Sequence, residues 1–469
     1  MNDRSPGSAR DLRPNLGSDH VTPYDRLVWS DEDVERLLAN GQQREELEAF
    51  FGPQEHCDLA RLAREAQRAS RATAGATLTG RRAARTSTAP RVLIVPGIMG
   101  SQLGLPRREP LPRDIVWLDP IDIRLGRLAE LALSAERPKL ARDGVQPYGA
   151  VLYSYLRFKL MLRAAGLDAV FHPYDWRLGI DELGRELAER IEAEPGPKVA
   201  IVAHSLGGLV SRAALGTVLR AGRGDEKIER LVLLGTPNAG SFGAVQALRG
   251  TYAVVRKISR LDWTHSPEEL ATRVFTTFPS IYHMLPCAQH SSASWPDSGP
   301  QPSPRLLESA RSVSRLLAPA DERCAAIVGV GQETVTGAEL RRGEFMYTVT
   351  RRGDGTVPIS SARLEHALNY HAAVSHSDLT RDPTVAAAVV DLLRTGSTRR
   401  LPSKWSSRSA AEAHVSDREL GARQPAKVDW ASLTPEERRE FLQNLNEPIE
   451  LQLRVPVGPR VTRAARRLR

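Results

Sequence analysis

The chain has 469 residues with 41% hydrophobic content, enough for one large domain with extensions or for two domains. No apolar run reaches the ~20 residues of a bilayer span, and Met1 to Asp19 is polar with no apolar h-region, so neither a membrane helix nor a signal peptide is expected. Three cysteines (Cys57, Cys287, Cys324) are odd in number and far apart; that spacing excludes a disulfide framework or a metal-ligand cluster and points to a reducing, cytoplasmic setting. The net charge of +9 is uneven: Arg460 to Arg469 holds five arginines and no acid, and 61–91 is also arginine-rich. Such stretches suit peripheral contact with an anionic membrane, or are plain solvated tails. No aromatic residues interleave with these arginines and no nucleic-acid motif is present, so no nucleic-acid partner is expected. The abundance of arginine and alanine reads as a GC-rich, bacterial coding bias.

Residues 1–20 read as disordered. Ser30 to Gly41 reads as a short helix, capped by Ser30 with Asp33 at the capping-box position and closed by Asn40-Gly41. A second helix is expected near Glu45 to Phe51. The Ala-, Thr-, Ser-, Gly- and Arg-rich residues 66–90 read as a linker, which closes an N-terminal extension over 1–89. Its helices are candidates for docking a protein partner. From Arg91 the texture changes. Val92 to Val95 is a buried-type strand, Tyr148 to Ala165 a helix, Asp168 to His172 a strand and Glu182 to Glu192 a helix. Val199 to Val202 and Arg230 to Leu234 read as strands flanking a helix from Leu206 to Ala221. Residues 241–285 break the alternation and read as a lid. Ala325 to Val330 resumes the sheet, Phe345 to Thr350 is strand-like, and His366 to Val374 is a last strand. The last helix, Pro383 to Leu393, is capped by Asp382. Alternating strands and helices predict an α/β fold, with a mostly parallel central sheet, helices on both faces and an inserted lid, over residues 90–398. Residues 399–469 read as a basic, mostly irregular tail with one helix, capped by Thr434 with Pro435 and Glu437.

Ala203-His204-Ser205-Leu206-Gly207-Gly208 stands between an apolar run and a helix, the pattern of a nucleophile elbow. Small residues must flank the serine because strand and helix approach closely there. A serine hydroxyl is a weak nucleophile until a histidine, oriented by a carboxylate, takes its proton. In this arrangement the acid and then the histidine follow the serine along the chain. Asp354, between Gly353 and Gly355, supplies the acid, and His376, between the last strand and the last helix, supplies the base. Asp378 and Asp382 come too late, and His366 and His371 fall inside the predicted strand. His204 is expected to point its ring away from the apex. The oxyanion donors are the backbone N–H of Leu206 and, from the loop after the first core strand, that of Ile98. No cofactor and no metal are called for.

Four islands resemble the lecithin:cholesterol acyltransferase family of α/β-hydrolases: Val95 to Ser101, Pro173-Tyr174-Asp175-Trp176-Arg177, Ala203 to Gly208 and Gly353 to Pro358. Leu234 to Ser241 resembles the strand end and lid start that the family shares with lipases. The likeness spans roughly residues 90–396. It implies an acyl-enzyme route on lipid-like esters, with Ser205, Asp354 and His376 as the triad and a lipid or acyl ester as substrate. From spacing alone, Asp175 and Arg177 read as a buried network bracing the sheet edge. Residues 115–133 either line an acyl pocket, touch a membrane or pack in the core. Trp263, Phe275, Phe278, Tyr282 and Met284 are candidates for an apolar lid face, although aromatics at such spacing more often pack in the core. Two rival functions share the sequence: a small-ester esterase or thioesterase with the same triad, and a catalytically silent scaffold. The complete Ser-Asp-His set argues against the scaffold.

Overall fold

Short apolar runs build the centre of the structure, a computed structural model that describes residues 30–79, 90–108, 111–133, 144–222, 225–406, 411–422 and 426–443, with Thr22, Tyr24 and Leu445. The expected disorder of residues 1–20 and the arginines of 460–469 lie outside the described residues. In chain order the strands are β1 (Arg91–Val95), β2 (Ser101–Leu105), β3 (Asp114–Trp117), β4 (Gln146–Ala150), β5 (Ala169–Phe171), β6 (Val199–His204), β7 (Ile228–Leu234), β8 (Cys324–Gly329), β9 (Thr334–Arg341), β10 (Glu344–Thr350), β11 (Leu368–Ala372) and β12 (Glu412–Ser416).

Six of them form one sheet in the order β11-β8-β7-β6-β1-β5, and every neighbouring pair is parallel. Alternation along each strand sends side chains to opposite faces. Leu93, Val95, Ile201 and Ala203 join one core, under the Ile180–Ala193 and Leu206–Ala221 helices. Val92, Ile94, Ala200 and Val202 join the other, under the Leu152–Ala164 and Pro383–Thr395 helices. All of β6 is buried, so it reads as a continuous apolar run rather than an alternating one. This is the α/β-hydrolase architecture expected from the sequence.

Two smaller sheets flank it. β3-β2-β4 follows the first core strand, and β12-β10-β9 stands beside the late strands. Between β7 and β8 lies an insertion of short helices: Phe242–Arg249, Ala253–Leu261, Pro267–Arg273, Pro279–His283 and Pro304–Ala310. Among the described residues no helix is long and apolar enough to cross a membrane.

Ser30 caps its helix by accepting from Asp33 N–H, and Gly41 closes it in the left-handed region, as expected. Thr434 and Glu437 likewise bond each other's backbone N–H at the start of the Pro435–Gln443 helix. The linker expectation changes. The third N-terminal helix runs Pro53–Thr79, so residues 66–79 are helical. Alanine and arginine are strong helix formers, and the buried Leu59, Leu62, Ala63 and Ala66 pack against Leu156 and Leu160. The expected Tyr148–Ala165 helix starts later, at Leu152, because residues 146–150 pair with β2 instead. Residues 411–422 and 426–443 are less irregular than expected. β12 pairs with β10, and Asp417 accepts from Tyr347 Oη at 2.6 Å and Arg249 Nε at 2.8 Å.

Candidate active site

β6 ends at His204, and the chain turns at Ser205 into the Leu206–Ala221 helix. Ser205 sits at φ 53°, a region that β-substituted residues avoid, and is the kind of strained apex that lifts a side chain off the sheet. Its N–H is tied to Leu234 O at 2.9 Å and its carbonyl accepts from Gly208 N–H at 2.9 Å. The strain is thus held from both sides. Leu206 opens the helix, where backbone N–H groups lack an intrahelical acceptor.

Asp354 lies in the loop after β10 and is 1% exposed. Its Oδ1 accepts from the N–H groups of Thr356 (2.9 Å) and Val357 (2.7 Å), which aims Oδ2 at His376 Nδ1, 2.7 Å away. His376 follows β11 and also donates its backbone N–H to Asp354 O at 2.8 Å. Gly235, at φ +56°, gives this pair its room: a Cβ there would come within 3.0 Å of Asp354 Oδ2 and 3.1 Å of His376 Nδ1. Asp378 accepts from Ser375 Oγ, and Asp382 caps the last helix, so neither reaches His376. His366 precedes β11, and His371 bonds Pro402 O.

Ser205, His376 and Ile98 line one cavity of about 50 Å³. The structure therefore brings the elbow serine, the acid-supported histidine and the Ile98 loop to one place, while Leu206, next after Ser205, is not among the residues that line the cavity. The Gly97–Gly100 loop is braced from outside. Tyr174 Oη donates to Pro96 O (2.7 Å), Trp117 Nε1 to Met99 O (2.8 Å) and Trp176 Nε1 to Ser101 O (3.0 Å). Arg177 grips Asp175 through two bonds of 2.9 and 2.7 Å and reaches Leu131 O, all fully buried. The Tyr174–Arg177 stretch thus braces the loop as well as the sheet edge. Residues 115–133 do not border the cavity and pack in the core instead.

The insertion supplies the apolar wall, with Ala247, Val254, Val255, Ile281 and Met284. Of the anticipated lid residues only Met284 faces the cavity. Phe275, Phe278 and Tyr282 are core, and Trp263 is 52% exposed. Ala247, Val254 and Val255 are small or branched residues on short helices, and nothing in their spacing marks them. Two further residues border the site without having been anticipated there, Tyr155 and His204. The His204 ring does not turn away from the apex. It lies with its centroid 4.6 Å from that of His376. Burial, with His376 beside it, holds its protonation well below the ordinary histidine range.

A parallel sheet of this order with a serine elbow at the end of a central strand defines an α/β-hydrolase. The profile of the lecithin:cholesterol acyltransferase family matches residues 165–391, which contain the elbow, the Asp354 loop and His376. The family resemblance read from the sequence is borne out over that span, and it supports ester hydrolysis or acyl transfer as the class of chemistry. Among solved structures the chain is similar to the Bacillus licheniformis lipase BlEst2 in its propeptide form, at 16% identity, 66% coverage of this chain and a TM-score of 0.35. This chain covers only 51% of that one. The mature form of the same lipase matches at 16% identity, with 67% and 96% of the two chains covered and a TM-score of 0.34. EstA from Clostridium botulinum matches at 12% identity, 67% and 88% coverage and a TM-score of 0.34. No curated protein matches the chain significantly.

Proposed function

We propose that the chain is a serine-dependent lipase or acyltransferase that acts on lipid-like esters through an acyl-enzyme. The observation that carries this reading is that Ser205 and an Asp354-bonded His376 border one apolar cavity. His376 donates from Nδ1 to Asp354, which leaves Nε2 bare to take the Ser205 proton. The serine oxygen then attacks the ester carbonyl. The negative charge on the carbonyl oxygen faces the Leu206 and Ile98 amides, and His376 returns the proton to the departing alcohol. Water or a second alcohol releases the acyl group by the same steps in reverse. Residues 90–398, with residues 411–422 and 426–443 packed on them, form the catalytic unit, and 241–285 act as its lid. The cavity has room for only a handful of water molecules, so a long acyl chain requires the helices carrying Ala247 and Val254 to move.

That small volume also favours a second reading, an esterase of short acyl groups that needs no lid motion. A fluorophosphonate probe followed by an acyl-length panel separates the cases. Ser205→Ala should keep the fold, lose labelling and lose ~10⁴–10⁶ of turnover. Asp354→Asn should cost about 10⁴ in kcat, while Asp378→Asn is mild. Rates that rise with acyl length and on aggregated substrate support the lipase. Equal rates on acetyl and long-chain esters support the esterase. Labelling that persists in Ser205→Ala removes both.

A further inference from the structure

Four hydrogen bonds run behind the site in a single line. Gly97 N–H lies 2.9 Å from Tyr155 Oη. The same Tyr155 oxygen lies 2.9 Å from His204 Nδ1. His204 Nε2 lies 3.0 Å from the backbone oxygen of His376. His376 N–H continues to Asp354 O at 2.8 Å. The proton order follows from chemistry. A carbonyl only accepts, so His204 carries its proton on Nε2 and Nδ1 is bare. The Tyr155 hydroxyl must therefore donate to Nδ1, and its lone pair accepts from Gly97 N–H. Each group has one partner on each side, and every polar atom in the line is used.

The ends of that line matter. One end is the loop that carries Ile98. Tyr155 holds Gly97 N–H, in the Pro96–Gly97 peptide, and Gly97 O, the carbonyl of the following Gly97–Ile98 peptide, accepts from Gly100 N–H at 3.0 Å, so the peptides on both sides of Gly97 are pinned. The N–H of the Gly97–Ile98 peptide, on Ile98, points opposite to that carbonyl. The loop has no slack against the elbow either: a Cβ on Gly97 would come within 2.9 Å of Ser205 Cβ. The other end is His376, whose backbone is gripped by His204 from one side and Asp354 from the other. Tyr155 and His204 are buried, at 3% and 5% exposed. Unpairing any member leaves a polar group without water to replace its partner.

We propose that Tyr155 and His204 are positioning residues, which lock the Ile98 amide and the His376 ring onto Ser205 through one hydrogen-bond chain. The proposal rests on Ser205, Asp354 and His376 acting as the triad. A neutral His204 is part of the device, because a second cation beside His376 would oppose the proton that His376 takes up. Tyr155 reaches the site from the Leu152–Ala164 helix, outside the motif-bearing loops. It couples two loops that are 279 residues apart (376 − 97).

The test uses the full chain, a soluble short-chain ester and the rate of fluorophosphonate labelling. Tyr155→Phe keeps the ring and deletes the hydroxyl. Its kcat and labelling rate should fall about tenfold to a hundredfold, the usual cost of unpairing a buried hydrogen-bond partner, with KM nearly unchanged. His204→Gln, whose amide can still donate to His376 O, should retain more activity than His204→Ala. The Tyr155→Phe/His204→Gln double variant should lose less than the product of the two singles, because one chain is being cut twice. Unfolding midpoints of all variants are compared with the wild type. If Tyr155→Phe folds poorly, the His204→Gln against His204→Ala contrast decides. A wild-type kcat and labelling rate in Tyr155→Phe, losses confined to KM, or equal losses in His204→Gln and His204→Ala overturn the proposal. If the wild-type chain itself is not labelled at Ser205, it is the triad reading that fails.

Discussion

Besides His204, two further buried imidazoles are held uncharged by the fold. His172 closes β5 and stacks on Tyr174, and its Nε2 has no hydrogen-bond partner among the described residues. His283, at the end of the Pro279–His283 helix, accepts from Ile180 N–H at 3.1 Å, which needs a bare Nδ1. Burial pulls both down to about 4, with Arg190 adding to the effect at His172. The unfolded chain binds these protons at an ordinary pKa near 6.5, so between pH 6.5 and 4 it holds more protons than the native state. Stability from these groups is therefore complete above pH 6.5 and is lost as pH falls towards 4, on the order of 3 kcal/mol for each. His172→Phe should flatten the acid limb of a plot of Tm against pH. An unchanged limb would show that other groups set it. Neither histidine was marked by the sequence, since a lone histidine after an apolar strand carries no pattern. Ser205, Asp354 and His376 were legible because chain order, flanking glycines and strand ends constrain them together. Tyr155 was not, because its function depends on a helix face meeting loops far away in sequence.

One helix, Leu152–Ala164, joins three parts of the molecule. Its apolar side packs under the sheet and against the N-terminal helices. Its basic residues pair with acids from those helices. Arg157 bonds Glu55 in a fork of 3.0 and 2.7 Å and reaches Asp58 at 3.0 Å. Arg163 pairs with Glu35 at 2.8 Å. Lys159, fully buried, pairs with Asp31 and with Glu35 at 2.8 Å. Burial works against the Lys159 charge, yet Glu35 and Asp31 outweigh it and hold the ammonium on. Removing one member of such a pair leaves the others uncompensated. Lys159→Met should lower unfolding stability by about 3–5 kcal/mol. The wild-type stability should change little with added salt, because buried pairs are poorly screened. A loss below about 1 kcal/mol in urea unfolding, the range of surface pairs, would contradict this. At this scale the sequence was informative about caps and parallel strands, whose signals are local. It was poor at the small antiparallel sheets. β4 and β12 are held by partners distant in sequence, β2 and β10, and strand propensity answers to such context.

Across the whole molecule, the segment after residue 398 divides by charge and contact. Residues 411–422 and 426–443 are built in. Beyond the β12 pairing and Asp417, Lys427 Nζ bonds Ser259 O at 2.8 Å, at the end of the helix that carries Val254 and Val255. Arg249, the partner of Asp417, ends the helix that carries Ala247. Both cavity walls therefore lean on this segment. The arginine-rich stretch 460–469 makes its case by charge alone. A chain cut after residue 398 should lose thermal stability and turnover of a soluble short-chain ester. A chain cut after residue 445 should keep both and bind anionic liposomes more weakly, by ~1 kcal/mol per arginine near the membrane, with the difference shrinking as salt rises. Full turnover in the chain cut after residue 398 would show that the built-in contacts are dispensable.

Tyr24 Oη accepts from Trp430 Nε1 at 2.9 Å, a contact between residues 406 positions apart. A ribosome adding roughly 5–20 residues per second needs about 20–80 s to travel that distance. For that interval Tyr24 has been made and its partner has not. The nascent chain must therefore hold Phe50 and Tyr153, whose rings stack at 4.4 Å beside the same hollow, without the wall that Trp430 and Ala431 later provide. Closure of this face is a late event in the birth of the molecule, and chaperone contact with the Tyr24 end should end only once Trp430 has left the exit tunnel. Photocrosslinking from position 24 on chains stalled before and after that point would date the closure.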